Sequence, residues 1–334
     1  MKSFLKKVFV FLLVGSLPVW LLLFGYFIFD PFKVLRTYDN FSFPDVLPNR
    51  DYISTEIFLN NYQQYDFNSF VFGSSRTLAF RPESWVKYLP EGSRPFIFDA
   101  SGESIYGINK KIKLIDQLEL KIENVLIIIC LDVSFQRSAN HEGHLYIKHP
   151  EISGEYFLPF QLTFLQAYAN PGFLLSFYDF KLTGKFKPYM LDYLENRAIT
   201  YDKVNNKMTI EDQNHELALN QVAYYEKRKD VFYQRSENQF IDTVKQINDV
   251  HKKLLFEIKQ LLDKHKTNYK VVISPLYDQI KFHPEDQKIL ESYFGENLYD
   301  FSGKNNITDE ITNYYESSHY RPTVGDTIFR SIYR

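Results

Sequence analysis

Three short segments carry residue types able to move an acyl group. Phe72-Gly73-Ser74-Ser75-Arg76-Thr77 places two hydroxyls and a guanidinium directly after an apolar run. A serine where a strand gives way to a helix has free backbone N–H groups and the positive helix end beside it, a setting suited to an oxyanion hole. Taken alone, Gly-Ser-Ser also reads as a plain helix cap. Asp99-Ala100-Ser101-Gly102 closes a second apolar run and supplies a glycine where backbone must turn sharply or approach a ligand. Near the C-terminus, Asn313-Tyr314-Tyr315-Glu316-Ser317-Ser318-His319-Tyr320-Arg321-Pro322 sets Glu316 three residues before His319, on what reads as a loop before the last helix. A carboxylate that holds an imidazole is what a nucleophilic serine needs from its two partners. Each segment alone is an ordinary turn or solvated loop; it is the combination that is specific.

Other constellations carry less. His141-Glu142-Gly143-His144 with His149 matches no tight metal-ligand spacing and reads as an exposed polar loop, so no metal is expected. Cys130, the single cysteine, rules out an intrachain disulfide framework and reads as an inert buried thiol. Arg76 is placed to hold an anionic substrate, although an arginine in a first helical turn is more often solvated. Tyr106, Tyr314, Tyr315 and Tyr320 near the proposed site suit sugar stacking or packing. Gly102-Glu103-Ser104-Ile105-Tyr106-Gly107 lacks the glycine spacing of a dinucleotide fingerprint, and no cofactor is expected. With 39 basic against 41 acidic residues among 334, the net charge of -2 argues against nucleic acid as the main partner.

These segments need elements to position them. Ser69–Phe72, Pro95–Asp99, Val125–Leu131, Tyr269–Ile273 and Leu298–Phe301 read as buried strands. Between them, helices are expected from Arg76 to about Leu89, Glu103 to Lys121, Phe240 to His265, Pro284 to Tyr293, and Pro322 to Arg334. Strands alternating with helices predict an α/β fold with a mostly parallel five-stranded sheet and helices on both faces. Ligands then bind outside the carboxyl ends of the strands, where all three segments fall. Residues 30–65 read as a connector without clear period. Residues 136–235, rich in Tyr, Asn, Lys and Phe, read as a mixed insertion that caps the cleft or forms a docking surface.

Val8 to Phe29 is a run of 22 residues without a charge. As a helix it would extend about 33 Å, the hydrocarbon thickness of a bilayer. Lys2, Lys6 and Lys7 precede it, so residues 1–7 are expected in the cytoplasm and the body outside the cytoplasmic membrane, periplasmic or extracellular. The run is longer than a usual signal-peptide core, and no A-x-A-like site follows it, which favours an uncleaved anchor.

From residue 66 to the end, the insertion excepted, the chain resembles the SGNH/GDSL hydrolase superfamily. Gly73-Ser74-Ser75 stands at the family's Gly-Asp-Ser motif, Glu316-Ser317-Ser318-His319 at its Asp-x-x-His motif, and Gly102 at its oxyanion glycine. The likeness is greatest to the membrane-anchored branch that includes the D-alanyl transfer protein of teichoic-acid modification and the alginate O-acetylation proteins. It implies a flavodoxin-like three-layer α/β/α fold and a Ser75–His319–Glu316 triad. Two positions depart from the pattern. Glu316 replaces an aspartate, and Cys130-Leu131-Asp132 stands where the family has Gly-x-Asn-Asp. Asp132 in the asparagine's place would turn an amide donor into an acceptor that repels an oxyanion. The resemblance further implies an acyl-serine route and a multi-spanning membrane-bound O-acyltransferase as partner. Tethering favours transfer to a cell-envelope glycan over free esterase activity; a non-catalytic envelope scaffold is the rival from another class.

Overall fold

A computed structural model describes residues 2–333. The chain begins with α1, Lys2–Phe29, which runs unbroken through Pro18. Among the described residues it is the one helix long and apolar enough to cross a membrane. Asp30 ends it: its carboxylate accepts from the backbone N–H of Val34 (3.0 Å) and Leu35 (3.1 Å) and from the Tyr38 hydroxyl (2.9 Å).

The expected irregular connector holds a helix, α2 (Arg50–Tyr65), capped by Asn49. Its period is hidden in the sequence because the buried face includes Arg50, Asp51, Ser54 and Thr55. Then come β1 (Ser69–Gly73), a 3-10 turn (Ser75–Ala79), α3 (Pro82–Trp85), β2 (Pro95–Asp99), α4 (Ile105–Gln117) and β3 (Asn124–Ile129). The single helix expected from Arg76 to Leu89 is broken. Pro82 forces Arg81 into extended backbone (φ -73°, ψ 133°), so the chain restarts as a four-residue helix.

Residues 136–235 contain α5 (Pro150–Ser153), α6 (Phe157–Tyr168), α7 (Pro171–Thr183), the hairpin of β4 (Ile199–Tyr201) and β5 (Met208–Ile210), α8 (Glu211–Leu219) and α9 (Gln221–Glu226). They pack into the same core as the segment before α2: Phe43 N–H donates to Ile199 O at 2.7 Å and Leu47 N–H to Tyr193 O at 3.1 Å. After them come β6 (Phe240–Ile241), α10 (Asp249–Lys264), β7 (Asn268–Ile273), β8 (Ile280–Lys281), α11 (Pro284–Phe294) and β9 (Leu298–Asp300). The helix expected from Phe240 thus begins only at Asp249, where Asn248 caps it. Last are β10 (Tyr314–Glu316), β11 (His319–Tyr320) and α12 (Pro322–Ile332); Arg334, the expected end of that helix, lies outside the described residues.

The central sheet has five strands in the order β2-β1-β3-β7-β9, all parallel. Alternate strand residues feed two separate cores. Phe70, Phe72, Phe96, Phe98, Ile127 and Ile129 meet the apolar sides of α2, α4, α10 and α11. Val71, Ile97, Leu126, Ile128 and Val272 meet Phe80, Trp85 and the Val324, Ile328 and Phe329 stripe of α12. Burying both faces explains why these strands read as continuous apolar runs. Because β1 is flanked by β2 on one side and β3 on the other, the chain leaves the end of β1 and the end of β3 in different directions, opening a crevice there.

Candidate active site

Gly73 ends β1 at φ +155°, and a Cβ there would lie 2.9 Å from Ile128 Cβ and 3.0 Å from Ile128 O. Only glycine fits, and the tight passage sets the two following serines apart. Ser74 is buried, its Oγ 3.6 Å from Cys130 Sγ. Ser75 faces a cavity instead, and its hydroxyl meets His319 Nε2 at 2.8 Å across 244 residues of sequence. The other ring nitrogen, Nδ1, hydrogen-bonds Glu316 Oε1. With Nδ1–H donating to the carboxylate, Nε2 is left as the acceptor that a nucleophilic hydroxyl requires.

Glu316 and His319 are not on a free loop. They face one another across the antiparallel pair β10–β11, and Ser318 N–H donates to Glu316 Oε2 at 2.6 Å. The tyrosines around them anchor this hairpin. Tyr314 O–H donates to Pro275 O at 2.9 Å, Tyr320 and Ser274 share a hydroxyl bond of 2.8 Å, and Tyr224 O–H holds Tyr315 O at 2.9 Å. Tyr314, Tyr315 and Tyr320 are therefore buried packing residues, and Tyr106 packs against the core beneath α4. The aromatic ring lining the cavity is Tyr146. Burial alone would raise the Glu316 carboxyl, but the hydrogen bond and charge of His319, Ser318 N–H and Arg76 outweigh it and hold the group below the usual carboxylate range.

Arg76 is buried rather than solvated, and it lines the Ser75 cavity with each of its guanidinium nitrogens already partnered. Its Nε donates to Ser318 O at 2.9 Å, and Nη1 and Nη2 grip Asp132 at 3.0 and 2.6 Å. Burial would lower the Arg76 guanidinium, yet the charge and hydrogen bonds of Asp132 raise it. Both Asp132 oxygens are directed at the arginine, so the carboxylate charge is paired. Burial likewise raises the Cys130 thiol. Gly102 lines the cavity with φ +56°, a conformation that leaves its backbone free to turn toward a ligand.

Two cavities open on Ser75 and His319. One, about 380 Å³, is lined by Ser75, Gly102, Asp132, Gln136, Arg137 and His319 among others. The second, about 230 Å³, has apolar walls from Leu47, Ile199, Met208 and Ile210, with Arg50 and Arg197 at its edge. Ser75, Ser101, Tyr146 and His319 border both.

Several of these residues have no local sequence signal. Arg50 comes from the unexpected α2 and pairs with Asp99, which also accepts from Thr77 Oγ1 (3.0 Å) and Asn206 Nδ2 (3.1 Å). Among the described residues the Arg50 Nε and Nη1 have no hydrogen-bond partner, and the guanidinium lies over the Tyr201 ring at 4.7 Å. Behind Gly102 lies a fully buried group of four charges. Lys111 Nζ is 2.7 Å from Glu103 and 3.0 Å from Asp51, and Lys148 Nζ is 2.5 and 3.1 Å from the same two. Burial would raise both carboxyls, but the two ammonium groups hold them low. This group clamps α2, α4 and the segment carrying Tyr146 around the Gly102 turn.

The histidines after β3 point apart. His141 Nε2 meets Ser104 Oγ at 3.1 Å, His149 Nε2 meets Glu56 at 3.1 Å, and the His144 ring packs on Phe32. Among the described residues no group of three His, Cys, Asp or Glu side chains is arranged to hold a metal ion. No family model matches the chain, and no curated protein matches it.

Proposed function

We propose that the chain is a membrane-anchored O-acyltransferase of the SGNH type, with a flavodoxin-like three-layer body, working on a cell-envelope polysaccharide outside the cytoplasmic membrane. The observation that carries the reading is the relay Ser75–His319–Glu316 at the carboxyl end of β1. The strand order, in which β1 separates β2 from β3, supports the reading, because open parallel sheets bind ligands where the strand order reverses.

In the proposed reaction Ser75 Oγ attacks an acyl carbonyl while its proton passes to His319 Nε2. Glu316 stabilises the imidazolium, and the backbone N–H groups of Ser75 and Gly102 meet the oxyanion. The carbonyl carbon–oxygen bond to the donor then breaks, and the leaving oxygen takes the proton from His319. That leaves an ester on Ser75. A glycan hydroxyl, deprotonated by His319, attacks this ester, and Ser75 recovers the proton as the glycan ester departs. The two cavities favour transfer over hydrolysis: the smaller, apolar-walled one suits an acetyl-like group, and the larger polar one suits a hydroxylated acceptor. An anchor at the same surface favours supply by a multi-spanning membrane-bound O-acyltransferase.

A fluorophosphonate probe should label the wild-type chain and not Ser75→Ala, and cells carrying only Ser75→Ala should lose envelope glycan esters at normal protein level. Equal labelling of both proteins would exclude the nucleophile. Ester content that rises in Ser75→Ala cells would make the enzyme an esterase, and unchanged content with no labelling of either protein would make it a scaffold.

A further inference from the structure

The insertion carries a feature that the chemistry above does not use. From Tyr156 to Tyr178 the sequence has no charged residue, yet it is not a single span: it folds as the pair α6–α7, turned at Asn170, which caps α7 through Gly172 N–H (2.8 Å) and Phe173 N–H (3.3 Å). One side of the pair is buried through Phe160, Phe164, Tyr168, Phe173 and Phe177. The other side exposes large apolar groups: Phe157, Leu158, Leu162, Leu175 and, just past Lys181, Leu182, the last 85% exposed. An exposed apolar patch of this kind on an otherwise well-packed domain marks an interaction surface.

Its position says what covers it. The pair packs on the final turns of α1. The Tyr26 and Tyr168 rings lie 5.2 Å apart, and Phe29 lies 5.6 Å from Phe177 and 5.8 Å from Tyr178. Gly25 makes room for this approach, since a Cβ there would be 2.4 Å from the Tyr178 hydroxyl and 2.5 Å from that of Tyr168. On these same turns of α1, Phe24, Phe27 and Ile28 are exposed as well. A spanning helix reaches the lipid–water boundary in its last turns, and the hairpin is fixed at that same level. Lys185 lies exposed just past its apolar residues, Lys181 and Lys187 pair with Asp45 (2.5 Å) and Asp179 (2.6 Å), and Tyr156 and Tyr189 flank the patch exposed. Basic groups and amphipathic tyrosines at the edge of an apolar patch match phospholipid headgroups.

We propose that α6–α7 is a second membrane contact: it lies in the headgroup region of the leaflet from which α1 emerges, its exposed side in the acyl boundary, and holds the domain at a fixed orientation on the bilayer. The inference rests on the membrane reading of α1 and is independent of the acyl chemistry.

The test uses the full chain in vesicles of phosphatidylcholine and phosphatidylglycerol. Cys130 is buried, so an environment-sensitive fluorophore can be attached selectively to Leu158→Cys or Leu175→Cys in the hairpin. Leu13→Cys in α1 and Lys121→Cys, exposed away from the hairpin, serve as references. A helix in the interface is sunk about 5–10 Å, so lipids with a nitroxide high on the acyl chain should quench the hairpin labels severalfold more than the Lys121 label. Hairpin labels that respond to aqueous iodide like the Lys121 label, while the Leu13 label is lipid-quenched, would overturn the proposal. Blue-shifted hairpin labels untouched by lipid nitroxide would also overturn it, because a second copy of the chain would then be the cover. A Leu13 label without lipid quenching would remove the span and the hairpin contact together, leaving the triad unaffected.

Discussion

Arg76 joins the two parts of the site that come from opposite ends of the sequence. One guanidinium holds the Ser318 carbonyl beside the base and Asp132 at the end of β3. A lysine retains the charge but has no planar fork, so it can serve only one of these partners at a time. Arg76→Lys should therefore let the β10–β11 turn shift relative to Ser75. The expected result is a fall in kcat of about 10²-fold on a chromogenic acetyl ester, with KM little changed. A KM rise with kcat intact would instead make Arg76 a substrate-binding group. At this scale the sequence was legible where a motif is local: Gly73-Ser74-Ser75 and Glu316-x-x-His319 announce themselves. The burial of Arg76 is not legible, because its partners, Asp132 and Ser318, lie 56 and 242 residues away.

Among the elements, α2 shows how a helix escapes notice. Its inward side carries charge, and those charges find partners in β2, α4, β4 and the segment before α5. Its cap is equally far-reaching. Asn49 Oδ1 accepts from Tyr52 N–H at 2.9 Å, while its Nδ2 donates to His144 O (2.8 Å) and Ile147 O (2.9 Å). Aspartate caps a helix as well as asparagine does. Were capping the whole role, Asn49→Asp would leave stability unchanged. Loss of the two donated bonds predicts destabilisation by about 2 kcal/mol, read from denaturant melts in detergent. A neutral Asn49→Asp would show that the segment bearing Tyr146 is held by other contacts. The parallel strands, by contrast, were visible as apolar runs because both of their faces are covered. The break after Ser75 was written in Pro82, and its effect on Arg81 overrode the apparent helical run.

For the whole molecule, the buried charges set how stability follows pH. Asp51 and Glu103 are held low in the folded chain by Lys111 and Lys148, so in acid the unfolded chain binds more protons than the folded one. Their contribution is present above the ordinary carboxylate values, about 4, and is lost as pH falls below them. His141 acts in the same direction in a higher window. Burial first, then the Lys148 charge, push it down from 6.5 to about 4, so its neutral form favours the fold above 6.5 and that contribution fades toward 4. The thermal midpoint should decline from pH 6.5 downward and steepen in the carboxylate range. His141→Asn should make the first part shallower, with His144, which burial also lowers, carrying the remainder. A midpoint rising on acidification would contradict both assignments. The same long-range pairing explains what could not be read in advance: the alternation of strands and helices is a local property, whereas the four-charge clamp joins residues up to 97 apart.

His319 reaches Ser75 from a hairpin made after every strand of the central sheet, immediately ahead of α12. In the proposed reaction, Ser75 would therefore wait during synthesis without its proton acceptor until nearly all of the described body has been made. A ribosome that stalls before Tyr314 would leave a stub with the hydroxyl but not the imidazole, so the proposed reactivity would be withheld until the sheet is complete.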